Sequence, residues 1–154
     1  MARRVLLVIL LLAGTAAADN PRLAAEQLFE DAQRTHDEAK FVACGKAYLD
    51  LYNHDPAAPD GDEVLYNGAV CFQYARSVGS AITTYELILR TYPRSKLAGK
   101  ALMPSGNAFL AIARVDDAAA RFEDYAKRFA GEKDARDALE NAITLRTALG
   151  DRAK

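Results

Sequence analysis

The sequence contains no tryptophan and only two cysteines, two histidines and two methionines among 154 residues, and neither charge is in excess: 20 Lys plus Arg stand against 21 Asp plus Glu. Each shortage argues against a class of chemistry. With balanced charge and no dense basic run, the chain lacks the pull that nucleic acid or an anionic membrane requires. Cys44 and Cys71 do not form a CxxC pair, which argues against a dithiol oxidoreductase and a thiolate zinc site. His36 and His54 lack HExxH or clustered Cys-His spacing, so they read as solvated or helix-capping groups. The acids between Asp55 and Glu63 lack the residue order of a calcium-binding loop and read as a connection with capping acids. Glu123 and Asp124 adjoin on a helix, so their side chains diverge. Ser77, Ser80, Ser95 and Ser105 have no GxSxG elbow, and no glycine-rich phosphate loop is present. The expectation is a non-enzyme with no catalytic residue, no metal ligand and no cofactor.

What is present begins at the N-terminus. Arg3 and Arg4 precede the apolar run VLLVILLL at positions 5–12, and small residues follow to Ala16, Ala17 and Ala18 before the chain turns polar at Asp19. This is the layout of a cleaved secretory signal over residues 1–18, and the run is short for a membrane span. Removal leaves 18 bases against 21 acids, a net charge of −3, on residues 19–154. Thr15 stands where an exported lipoprotein would carry its lipidated cysteine, so the expected location is periplasmic or secreted without a lipid anchor. No later segment reads as membrane-spanning. An oxidising compartment permits a disulfide. Cys44 and Cys71 nevertheless sit among apolar neighbours in helical patterns, and two buried thiols is the favoured reading over a bridge.

Beyond the leader, apolar residues recur at helical spacing in seven segments: Arg22 to Ala32, Glu38 to Tyr52, Asp62 to Ala75, Ser80 to Thr91, Lys96 to Ala113, Asp116 to Phe129 and Glu132 to Leu149. Sustained alternation between turns is missing, so the fold class is all-α. Pro104 falls inside the fifth segment, which predicts either a helix beginning there or a kink after Lys100.

The helices repeat. A step of 37 residues links Cys44, Ala81 and Ala118; Tyr48, Tyr85 and Phe122; and Leu51, Ile88 and Tyr125. The same step links Leu28, Leu65 and Leu102, then Ala32, Ala69 and Gly106, and takes Pro56 to Pro93. Small residues on paired helices predict close backbone approach: Ala32 facing Cys44, Ala69 facing Ala81, and Gly106 facing Ala118. One hairpin leaves an apolar face exposed, and stacking covers it. The units run over about 22–57, 62–95 and 97–131, and residues 132–150 read as a capping helix with a polar outer face from Glu132, Asp134, Arg136, Asp137 and Arg146.

This pattern resembles the tetratricopeptide repeat family. Leu65, Gly68, Ala69, Phe72, Ala81, Tyr85, Ile88 and Pro93 stand where the family has large, small, small, aromatic, small, aromatic, large and proline. The run YPRSKLAGKAL, residues 92–102, is similar to a repeat junction in exported envelope members, which serve the Tol-Pal system and outer-membrane barrel assembly. The resemblance implies a right-handed solenoid of helical hairpins and a scaffold role in protein binding. It places the concave surface on the first helix of each hairpin: Glu26, Phe29, Gln33 and His36, then Tyr66, Val70, Gln73 and Tyr74, then Met103, Asn107 and Leu110. There the aromatic side chains and Met103 would contact an extended peptide or partner helix, and Gln33, Gln73 and Asn107 would hydrogen-bond a peptide backbone. Tyr66 or Tyr74 could equally cover a helix junction. The implied partner is an envelope protein or peptide; the alternatives are a self-associating structural subunit and a regulatory accessory of a peptidoglycan enzyme.

Overall fold

The computed structural model describes residues 20–150, so the leader assigned to residues 1–18 lies outside the described residues. Seven helices and no strand are present among them: α1 (Pro21–Thr35), α2 (Glu38–His54), α3 (Gly61–Tyr74), α4 (Val78–Thr91), α5 (Lys96–Ala111), α6 (Val115–Arg128) and α7 (Ala135–Ala148). The fold is all-α. Each helix packs on its neighbours in chain order, and α3 also touches α5. None is long and apolar enough to cross a membrane.

Local chemistry sets the helix starts. The Asn20 side chain accepts hydrogen bonds from the Arg22 and Leu23 amides, with Pro21 in the first turn of α1. Asp37 caps α2 by accepting from Ala39 and Lys40, and Ser95 caps α5 by accepting from Leu97. The tight turns inside the three hairpins share one device. His36, Arg76 and Ala113 adopt left-handed backbone with φ of 51°, 53° and 59°. The following amide then reaches back five residues: Asp37 donates to the Ala32 carbonyl, Ser77 to Phe72 and Arg114 to Phe109. This satisfies helix-end carbonyls that would otherwise lack donors.

The 37-residue step is visible in the helix ends. α2, α4 and α6 end at His54, Thr91 and Arg128, and α3, α5 and α7 end at Tyr74, Ala111 and Ala148. In the second hairpin Ala69 and Ala81 belong to one buried cluster with Leu65, Phe72, Tyr85 and Ile88. In the third, a Cβ on Gly106 would lie 2.7 Å from the Phe122 ring, and Ala118 is buried in the same cluster as Phe122. The first hairpin departs from the pattern. α2 begins at Glu38, three residues ahead of Phe41, where the step from Val78 would place it. The earlier turn slides α1 along α2, so Ala32 clusters with Phe41 and Ala75, while the Cys44 sulfur lies 3.7 Å from the Ala25 carbonyl oxygen. The expected Ala32–Cys44 pairing is corrected accordingly.

The cysteine reading is also corrected. Cys44 on α2 and Cys71 on α3 form a disulfide with Cα atoms 5.9 Å apart, and both are fully buried. Close approach of α2 and α3 explains it: a Cβ on Gly45 would lie 2.7 Å from the Phe72 ring, and one on Gly68 would lie 3.1 Å from the Tyr48 Cβ. A Cα separation of this size suits a bridge. α5 runs through Pro104 without interruption, which rejects a start at that residue.

α7 buries Ala135, Ala138 and Ala142, and Arg146 turns inward to ion-pair with Glu123 at 2.7 Å and with Asp116. Its outer surface is mixed rather than polar, because Leu139 and Ile143 are about half exposed beside Arg136 and Asp137. A bidentate pair between Arg121 and Glu86, at 2.7 and 2.8 Å, ties α6 to α4, and buried Ser105 donates to the same carboxylate.

Candidate protein-interaction site

α3 supplies four of the eleven expected residues. Tyr66, Val70 and Gln73 follow one another at helical spacing on one stripe, and Tyr74 lies beside its end. The stripe and its neighbour meet different surroundings.

Tyr74 closes an aromatic group. It is 53% exposed and stacks on Phe41 with ring centroids 5.2 Å apart. Phe29 meets Phe41 edge-on at 5.9 Å and Tyr74 at 6.0 Å. Tyr74 and Phe41, with Gln33, His36, Glu38 and Arg76, line an open cleft of about 340 Å³. It lies where the turns of the first two hairpins come together. Arg76 and Glu38 face each other at 3.6 Å across its rim, and both are well exposed. Such a pair is weakly held and free to exchange its partner for a ligand group.

The other residues of α3 surround Tyr85. Tyr66 is half-buried and meets the Tyr85 ring edge-on at 6.2 Å. The Tyr85 hydroxyl donates to the Gln73 side-chain oxygen at 2.7 Å, which leaves the Gln73 amide N–H groups for a ligand. Burial, reinforced by Tyr66 and Tyr74, pushes the Tyr85 phenol above its ordinary range. Burial does the same to Tyr66. Both are neutral donors at physiological pH.

Of the expected residues, the fold thus gathers Gln33, His36 and Tyr74 at one cleft, with Phe29 packed against the Phe41 and Tyr74 rings behind it, and Tyr66 and Gln73 around Tyr85. Val70 is half-buried between these groups along α3. Glu26 is exposed and pairs with Arg22 at 3.5 Å. Met103 is half-buried against the Phe109 and Phe122 cluster, and Asn107 and Leu110 are exposed on α5. Glu26, Met103, Asn107 and Leu110 do not line the cleft.

Three cleft residues escaped the sequence reading. Phe41 lies on a second helix, where aromatics read as core, and Glu38 and Arg76 lie at turns. The available signal was the short link between α1 and α2, which carries Glu38 and Phe41 to the end of α1. Chemically the cleft offers aromatic contact, amides and one exposed ion pair. Among the described residues no group of three or more His, Cys, Asp or Glu side chains is placed to hold a metal ion. In comparisons with known proteins, no family model matches the chain and no curated protein matches it.

Proposed function

We propose that the chain is a right-handed tetratricopeptide-type solenoid acting as a non-catalytic protein-protein interaction or scaffold module in the bacterial cell envelope. In this reading an extended peptide or partner helix lies along α1, α3 and α5. The observation that carries it is Tyr74, a half-exposed ring stacked on Phe41 at the mouth of a cleft with amide and charged groups. A pre-positioned aromatic loses little freedom on binding and suits an anchor role. The 37-residue register of the helix ends supports repeat stacking. The buried Cys44–Cys71 bridge suits an oxidising compartment, in keeping with the leader pattern of residues 1–18.

The test is photocrosslinking in an envelope extract, with a benzophenone side chain replacing Val70 or Asn107, or replacing exposed Lys46 on α2 as the control. The reading expects one partner segment crosslinked from positions 70 and 107 and not from 46. A synthetic peptide of that segment should bind Tyr74→Ala roughly tenfold or more weakly than wild type. Equal crosslinking from position 46, or equal peptide affinity for the two proteins, overturns the reading.

A further inference from the structure

Opposite the cleft, the helix stack ends in a surface divided by charge. α2, α4 and α6 finish there, and α3, α5 and α7 start there. The contacts tie it together: the Ser95 hydroxyl bonds the Asp62 carboxylate, the Tyr92 hydroxyl donates to the Pro56 carbonyl at 3.3 Å, and the Arg128 guanidinium donates to the Pro93 carbonyl. On one half stand Asp50, Asp55, Asp60, Asp62 and Glu63, with Arg22 pairing Asp60 and Glu63. On the other half stand Arg90, Arg94, Lys96, Lys100, Lys127 and Arg128, all exposed and none in an ion pair among the described residues. Glu132 and Asp134 border this second half.

Helix electrostatics accounts for part of the basic half. Arg90, Lys127 and Arg128 lie in last turns, where cations are favoured. Lys96 and Lys100 do not fit that explanation. They stand at the start of α5, whose first turn, like those of α1 and α4, has no acid, while α2, α3, α6 and α7 have one or two there. Cations at a helix N-terminus oppose the dipole, and an anionic partner would relieve them.

We propose that this end is a homodimer interface, with a second copy rotated by a two-fold axis so that each acidic half meets the other copy's basic half. A uniformly anionic surface would repel Asp50 and Asp55, and a polycation would repel Lys96 and Lys100. The second copy carries both halves in the required arrangement, and a two-fold contact pairs each with its opposite. The weakly charged chain, with a net charge of −3 over residues 19–154, opposes the approach only weakly. The cleft at Tyr74 stays open at the far end of each copy.

The experiment is sedimentation equilibrium of the purified protein in low and high salt, beside Arg94→Glu/Lys96→Glu and Asp50→Lys/Asp55→Lys, each checked for native helicity. Wild type is expected to dimerise in low salt and dissociate as salt rises. Each variant alone should dimerise roughly a hundredfold more weakly, since every substitution sets like charges together twice. Mixing the two variants should restore a one-to-one heterodimer. A wild type that stays monomeric in low salt, variants that dimerise like wild type, or a mixture that stays monomeric overturns the proposal. So does binding of monomeric wild type to phosphatidylglycerol vesicles, which would assign the basic half to a membrane.

Discussion

Cys44 of α2 and Cys71 of α3 are bonded across the boundary between the first and second hairpins, inside a cluster that also buries Ala25, Tyr48 and Val64. The two helices are consecutive, joined by the turns of residues 55–60, and the bridge adds a covalent tie away from that connection, near the middle of α2 and the end of α3. It therefore holds the inner ends of the cleft walls, α1 through α2 and α3, in one arrangement.

Closing a loop across a separation of 27 residues restricts the unfolded chain by about 3–4 kcal/mol. Denaturant titration of wild type should show that loss on addition of reductant. The Cys44→Ala/Cys71→Ala protein should be destabilised by a similar amount and be indifferent to reductant. Wild type labelled by a thiol reagent after unfolding without reductant would contradict the bridge.

Two glycines should respond in opposite directions. A Cβ on Gly106 meets the Phe122 ring at 2.7 Å, and that ring is buried and has nowhere to retreat. Gly106→Ala should cost about 1–2 kcal/mol, overpacking outweighing the gain in helix propensity. Gly79, in the first turn of α4, has nothing within 4 Å of such a Cβ, so Gly79→Ala should stabilise by about 0.5–1 kcal/mol. Urea midpoints of the two variants measure both effects.

Tyr85 predicts an alkaline limit to stability. Burial raises its pKa in the folded chain above the ordinary value near 10, so the phenol stays neutral in the fold while the unfolded chain ionises. Its contribution is complete below about pH 10 and falls by about 1.4 kcal/mol per pH unit above it, until the raised folded pKa is passed. Tyr48 and Tyr66 are shifted in the same direction and add to the slope. Unfolding free energies of wild type and Tyr85→Phe between pH 8 and 11 should converge as pH rises. Parallel curves would contradict the assignment.

Tyr74 and Phe72 are near neighbours in sequence with different expected roles. Phe72 is 3% exposed, and Phe72→Ala should cost about 3–5 kcal/mol as core truncations do. Tyr74→Ala should cost about 1 kcal/mol or less, since half of the ring already faces water, yet should remove much of the affinity for a groove peptide. Thermal melts beside peptide titrations separate the two quantities.

Much of the architecture was legible because helical periodicity is local. All seven helices fall close to the segments read from apolar spacing, and the small columns Ala69 with Ala81 and Gly106 with Ala118 are buried where close packing requires them. The pairing of Cys44 with Cys71 was not legible, since it depends on how α2 crosses α3. Nor were the left-handed turns at His36, Arg76 and Ala113, which use no glycine to announce themselves. The early turn at His36 displaced α1 along α2, and a fixed 37-residue step cannot express that shift. The aromatic cleft was half visible: Phe29 and Tyr74 lay on expected faces, while Phe41 joined them through a contact between elements distant in sequence.

The stacking of hairpins is tested most directly by pulsed electron-electron resonance on spin labels at Asn53, Arg90 and Lys127, three exposed residues separated by the repeat step. With cysteines introduced in pairs, the 53–90 and 90–127 distances should be nearly equal, and the 53–127 distance should be far longer than either and approach their sum. A 53–127 distance no longer than the other two would describe a closed bundle and contradict the repeating stack on which the groove depends.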